Sequence, residues 1–319
     1  MKASIIGACG GNAGNHIRAY KKLGIKISAI VDVNKKGKKL ARELGAEFYS
    51  DYKDINESIT DIASVSMPPY LQPIVTSHLL KRGISVLCEK PISPTVKEGK
   101  KLRKIISSTG KILMVGFCFR FSQKFIKLKE LIESNVIGET LYINARYSAA
   151  SNFKDNWRTD IKKGGGILLV NSIHYADLAP WLIGQKIETV DAYGSSRFHL
   201  KEAEDNSILI LKHKDVCVTT VSGHYWIFKK SVVDFEVIGT KARATFEKNC
   251  IILDKNNGRE EKVEYKENDM YYAEVKHFIE CVKNKTSPQC GLEESLQATN
   301  IIEKARLSML KGKRIWIKS

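Results

Sequence analysis

A chain of 319 residues is long enough for two domains with a core each, and 43% hydrophobic with 27% charged residues excludes a disordered or fibrous protein. No apolar run approaches the roughly 18 residues that cross a bilayer, so no membrane partner is expected. The formal charge of +17 comes from lysines spread along the chain, densest in KKGKK at 35–39, without the interleaved aromatics of a nucleic-acid platform; a solvated basic surface is expected, and no nucleic acid.

The first 120 residues alternate between strand and helix patterns. Strands are predicted at ASIIGA (3–8), KISAIVDV (26–33), DIASVSM (61–67), ISVLCEK (84–90) and KILMVGF (111–117). Between them, helices are predicted at NHIRAYKKLG (15–24), KKGKKLARELG (35–45), QPIVTSHLLKRG (72–83) and, in one piece, TVKEGKKLRKIISSTG (95–110). Apolar strands separated by amphipathic helices describe a doubly wound parallel sheet, a Rossmann domain. Beyond residue 120 the pattern changes. A helix is predicted at 121–135, a long alternating strand at TLYINARYSA (140–149), and a single helix through GGGILLVNSIHYADLAPWLIG (164–184). The alternating segments ETVDAYG, SILILKH, VCVTTVSGH, VVDFEVIG, RATFEK and CIILD follow, then helices around 269–284 and 291–311. The fold class expected is α/β: a Rossmann domain at 1–120, and at 121–319 an α+β domain with a large, mostly antiparallel open sheet.

The seven cysteines are odd in number and scattered with no CxxC pair, and MKASIIGACGG lacks the apolar core of an export signal. A cytoplasmic protein with free thiols and no metal site is expected.

In IIGACGGNAGNH, Gly7, Gly10, Gly11 and Gly14 lie between the first strand and the first helix, where backbone N–H groups and the helix dipole receive a pyrophosphate. The spacing is GxxGxxAxxH instead of GxGxxG, so the contacts expected are Gly7, Cys9, Gly10, Gly11, Asn12 and Ala13. Asp32 ends the second strand, where a carboxylate binds ribose hydroxyls and repels a 2′-phosphate; NAD is expected. Lys35 and Lys36 just beyond are able to bind that phosphate, which leaves NADP open. His16 is read as a packing or capping residue of the first helix.

The glycine loop, DIASVSMPP, VLCEKPIS, GFCFRF, IESNVIGE, NWR at 156–158 and GGG…H…D at 164–177 together resemble the Gfo/Idh/MocA family of glucose–fructose oxidoreductase and inositol dehydrogenase. The resemblance covers nearly the whole chain. It implies an NAD(P)-dependent oxidoreductase that moves a hydride between the nicotinamide and a secondary alcohol or ketone of a sugar, cyclitol, sugar acid or nucleotide-linked sugar. It also implies a homo-oligomer, dimer or tetramer, and cofactor contacts at Met67, Pro68, Gln72, Glu89 and Lys90. Lys90, at a strand end with Pro91 behind it, is the expected holder of the substrate oxygen, and His174 the expected general acid/base. Asp177, three residues on, is placed to orient that imidazole. Arg158, Asn171 and Tyr147 are the further substrate contacts expected; Arg158 suits a carboxylate or phosphate, which leaves an anionic substrate open.

Three positions depart from the family. Val170 stands where an aspartate commonly pairs with the histidine, Gln72 where a histidine is common, and Cys118-Phe119 replace more polar residues. Val170 keeps an alternative open: a catalytically impaired nucleotide-sensing protein of the same fold.

Overall fold

Short, almost wholly apolar runs form the first sheet because both of its faces are covered, so their residues need no polar alternation. In the computed structural model, which describes residues 1–150, 156–198, 201–215, 217–226 and 231–317, these runs are β1 (Lys2–Ile6), β2 (Lys26–Val31), β3 (Glu47–Tyr49), β4 (Ile62–Val65), β5 (Ser85–Glu89) and β6 (Leu113–Gly116). All pair in parallel, in the order β3-β2-β1-β4-β5-β6. The order reverses between β1 and β4, the switch point where doubly wound sheets open a crevice at their carboxyl ends. The crossovers are α1 (Ala13–Lys22), α2 (Lys36–Leu44), α3 (Gln72–Lys81), α4 (Val96–Gly99) and α5 (Leu102–Thr109). Residues 95–110 therefore form two helices, not one. Gly99 is buried, with no room for a side chain beside Leu296 and Ser93, and the chain after it tightens into three-residue turns, Lys101 N–H to Glu98 O and Arg103 N–H to Lys100 O.

The second sheet grows from α6 (Gln123–Glu133) and the long β7 (Thr140–Ala150). The 164–184 segment enters its helix through the glycines as expected, but not as one continuous α-helix. Gly164 and Gly166 hold φ of 86° and 95°, a π-helical turn follows at Leu168–Ser172, and only then α7 (Ile173–Ile183), closed by Gly184. Next come β8 (Ile187–Ser195), β9 (Asn206–His213), β10 (Val218–Trp226), β11 (Val232–Gly239), β12 (Ala242–Glu247), β13 (Cys250–Lys255) and β14 (Glu260–Glu264). The chain ends through α8 (Met270–Asn284), α9 (Leu292–Lys311) and β15 (Ile315–Trp316). Val216, the head of the predicted VCVTTVSGH strand, lies outside the described residues.

The strand order is β14-β13-β12-β11-β7-β10-β9-β8-β15, antiparallel except where β7 meets β10 in parallel. One face buries Ile143, Ala145, Leu209, Leu211, Val221 and Val237, and an aromatic group of Phe125, Phe235 and Phe246 packs edge to face beneath α6. The opposite face carries exposed apolar residues, among them Tyr193 directly across from Ile208.

By packing, the chain divides into Met1–Cys118 with Asp269–Leu296, and Phe119–Asn268 with Gln297–Ser319. This differs from the linear division at 120/121. α8 returns to the first unit and lies on α1, tied by Lys22 and Arg18 to its N-cap Asp269, while Phe119 and Arg120 go with the second. Among the described residues no helix is long and apolar enough to cross a membrane, and the seven cysteines are free thiols.

Candidate active site

In the first unit the glycine loop folds back on its own sheet. Gly7, at φ 74°, donates its N–H to Val31 O and accepts from Gly10 N–H. A Cβ on Gly7 would run into the Ser66 carbonyl, and one on Gly10 would stand 2.6 Å from the same oxygen. These two glycines thus serve the approach of loop to β4, whereas Gly14 has open space around its Cα. No side chain caps α1 at Asn12, and its first turn carries no acidic residue, so the positive end of the helix stays available to an anion. Gly11 and Cys9 are exposed there, and Ala13 is buried at the first turn.

Asp32 is wired to this loop. Its Oδ2 accepts from Cys9 N–H and its Oδ1 from Asn34 N–H, each at 2.7 Å. Two backbone donors fix the carboxylate's direction while lone pairs remain for ribose hydroxyls. Lys36 opens α2 beside it with an exposed side chain. Across the loop, the Met67 side chain fills the space over Gly7, with Pro68 half-buried next to it. The uncapped helix end, glycine loop and anchored carboxylate fit a dinucleotide.

Two of the expected cofactor contacts turn inward. Gln72 is 1% exposed; its Nε2 donates to Met67 O at 3.1 Å and its Oε1 accepts from the Cys88 thiol at 2.9 Å. Its amide is spent on holding the Met67 loop to β5. Glu89 is also buried, its Oε1 3.3 Å from His16 Nε2, so the carboxylate faces the interior of this unit instead of a ligand. Lys90 follows at the end of β5, half-buried, with a cis bond to Pro91, and Ile92 N–H donates to Ser295 Oγ at 3.3 Å.

In the second unit His174 lies on the first turn of α7 and stacks on Phe119, ring centroids 4.6 Å apart. The replacement of a more polar residue at 119 thereby sets the plane of the imidazole. Asp177, expected to orient that ring, directs both carboxylate oxygens to Arg120: Nε at 2.8 Å and Nη2 at 2.6 Å, in a buried fork. Arg120 also lies over the Trp181 ring.

Asn171, in the π-turn, accepts from the Tyr225 hydroxyl at 2.6 Å and bonds the Tyr147 hydroxyl as well. Burial raises both phenols, Tyr225 well above its ordinary value, so both remain protonated donors. Arg158 stacks on Trp157 at 4.4 Å, and burial lowers its guanidinium from the usual value. Its charge is felt at Tyr225, which places Arg158, Tyr225, Asn171 and Tyr147 in one polar group. Val170 is half-buried and carries no polar side chain into it.

Sequence reasoning missed Tyr225. Its partner Tyr147 is brought near only by the parallel pairing of β7 with β10, in which Tyr225 stands opposite Ala149 and Gly223 opposite Tyr147. Gly223 lets the π-turn approach, since a Cβ there would stand 2.8 Å from Ile167 and Ser172. The glycines at 165 and 166 have a similar purpose. A Cβ on Gly165 would press on Arg158 O, and one on Gly166 on the Glu204 carboxylate, which Arg306 pairs at 2.9 Å. They pin the 157–166 loop, and Arg158 with it. Among the described residues no His, Cys, Asp and Glu group is arranged to hold a metal ion.

A doubly wound sheet with this loop, helix end and carboxylate defines a nicotinamide-dinucleotide oxidoreductase. Residues 1–117 match the model of the oxidoreductase family's NAD-binding Rossmann fold, and residues 129–318 that of its C-terminal alpha/beta domain. The chain belongs to the Gfo/Idh/MocA oxidoreductase family. It is 24% identical to scyllo-inositol 2-dehydrogenase (NAD(+)) of Bacillus subtilis, over 92% of this chain and 91% of that one. It is 26% identical to myo-inositol 2-dehydrogenase of Thermotoga maritima, over 85% of each. The crystal structure of an oxidoreductase from Thermotoga maritima superposes with a TM-score of 0.86 at 26% identity, covering 99% of this chain and 98% of that one.

Proposed function

We propose that this enzyme moves a hydride between NAD and a secondary hydroxyl, or the matching ketone, of a cyclitol, sugar or sugar acid. The observation that carries the substrate class is the polar group one turn from His174: two phenol donors joined through Asn171, with a stacked guanidinium beside them. Such a set suits several hydroxyls on one small ring, and Arg158 adds a partner for a carboxylate. The inositol dehydrogenases that the chain resembles support the same class.

Gly7, Cys9, Gly10, Gly11, Asn12 and Ala13 would hold the pyrophosphate, Asp32 the adenosine ribose, and Met67 and Pro68 the path toward the nicotinamide. NAD, when bound, supplies the hydride acceptor. Lys90 holds the reacting oxygen and stabilises the negative charge that grows on it. His174 takes the hydroxyl proton and returns it in the reverse direction. With Val170 at the aspartate position, the Phe119 stack, not a carboxylate at 170, fixes the imidazole. Lys36 leaves room for NADP as a poorer substitute. Retention of both Lys90 and His174 weighs against the nucleotide-sensing alternative.

The test is to mix the purified protein with NAD and a panel of inositols, aldoses and sugar acids. Formation of reduced nicotinamide with at least one of them supports the reading, and no turnover with any, at neutral or alkaline pH, rejects it.

A further inference from the structure

The core of the first unit contains a group that the hydride transfer does not use. His16, on the first turn of α1, is fully buried; its Nε2 lies 3.3 Å from Glu89 Oε1 on β5 and 3.9 Å from Glu274 Oε2 on α8. Glu274 is fully buried and Glu89 is 6% exposed. Among the described residues, five polar atoms of this group find no hydrogen-bond partner: His16 Nδ1 and Nε2, Glu89 Oε1, and both oxygens of Glu274. Tyr271 of α8 flanks the imidazole at 6.5 Å, and its hydroxyl bonds the Cys118 thiol, which feels the charges of Glu274, Glu89 and Lys90 together.

Two carboxyls and an imidazole in a buried core are costly, and apolar side chains would fill the same space with less penalty, so stability does not account for them. Their placement does suggest a purpose. In the reading proposed above, α1 is the helix whose N-terminus receives the cofactor, β5 is the strand that ends at Glu89, directly before Lys90, and α8 packs on α1 and β5.

We propose that His16, Glu89 and Glu274 form a positioning lock, in which the imidazole of α1 sits between a carboxyl of β5 and one of α8, and that it fixes the end of β5, and with it Lys90, against α1. Burial, then the Glu89 charge, pushes the Glu274 carboxyl well above the usual range. Glu274 is accordingly the member that keeps a proton. The groups around Glu89 are His16 from α1, Glu274 and Tyr271 from α8, and Cys118 after β6, with Lys90 next in the chain. Burial holds Cys118 and Tyr271 neutral. The inference rests on the reading of Lys90 as the catalytic lysine.

The test uses the full chain and the variants Glu89→Gln, Glu274→Leu and Glu274→Gln. Lysines are labelled by ¹³C-formaldehyde reductive methylation, and the Lys90 resonance is assigned by its loss in Lys90→Arg. Glu89→Gln should lower the Lys90 titration midpoint by about half a unit or more. It should also cut kcat about tenfold, with the NAD dissociation constant changed less than about threefold. Glu274→Leu should cut kcat similarly, and Glu274→Gln, which keeps a neutral donor, should restore it to within about threefold of the wild type. An unchanged Lys90 midpoint in Glu89→Gln, or equal kcat in Glu274→Leu and Glu274→Gln, overturns the lock. If Glu89→Gln does not fold, the Glu274 pair decides. A chain that turns over no polyol sinks the functional reading alone, because the Lys90 titration still reports on the lock.

Discussion

Asp32 shows how one carboxylate joins fold and chemistry. The same two oxygens that accept Cys9 and Asn34 N–H groups are the ones the proposed function assigns to the ribose, so the loop and the strand end are set by one group. Replacing Asp32 with alanine removes charged hydrogen bonds worth about 1.5–3 kcal/mol. NAD affinity should accordingly fall by roughly tenfold or more, and NADP affinity less, because the repulsion of a 2′-phosphate disappears as well. Titration of the variant with both dinucleotides checks this; an unchanged preference would place the ribose contact elsewhere. Residue by residue, the geometry of the candidate site was legible in the sequence where it depends on a local turn: the glycine loop before α1, Asp32 at the end of β2, and Lys90 before Pro91. It was not legible where a side chain's direction depends on tertiary packing. The resemblance gave Gln72 and Glu89 to the cofactor and helical spacing turned Asp177 toward His174, yet Gln72 engages Cys88, Glu89 lies by His16 and Asp177 pairs with Arg120, each inside its unit.

At the scale of elements, period-two and helical patterns located most strands and helices, while the edge strands β3, β14 and β15 went unread, β3 and β15 being too short to show a period. Two further features were invisible. The π-turn at Leu168–Ser172 depends on the glycines at 164–166 packing against Arg158 and Glu204, contacts distant in sequence. The parallel pairing of β7 with β10 assembles Tyr147 and Tyr225, and no local pattern specifies which strands become neighbours. The β9–β10 connection also carries a pH liability. His213 ends β9, fully buried, its Nε2 2.9 Å from Thr219 Oγ1, and burial lowers it from 6.5 to about 4. A histidine depressed in this way contributes stability above its unfolded value near 6.5, and that contribution is lost as pH falls toward about 4. The loss should reach about 3 kcal/mol at most. Denaturant unfolding at neutral and acid pH should show a shallower decline in His213→Gln than in the wild type; equal declines would assign the acid sensitivity to other groups.

For the whole molecule, composition and the alternation of elements were enough to read an α/β chain with a Rossmann domain followed by an open sheet. The division into units was less legible, because α8 is far along the chain and joins the first unit through Asp269 and its packing on α1. The outer face of the second sheet bears Tyr193, 68% exposed, opposite Ile208, 41% exposed, in a row that continues through Ser222, Arg146 and Asp234. Apolar surface of this kind on a flat sheet favours pairing with a second copy of the chain. Light scattering should therefore report a dimer or tetramer for the wild type and a smaller species for Ile208→Lys; a monomeric wild type would rule out this assembly.

The central claim is that Lys90 serves hydride transfer to or from a sugar-like alcohol. It is tested most directly by the NAD reduction rate of the wild type and Lys90→Ala on the best polyol of the panel. The rate should fall about 100- to 1000-fold in the variant while NAD binding and thermal stability persist. A variant within a few-fold of the wild-type rate would contradict the account.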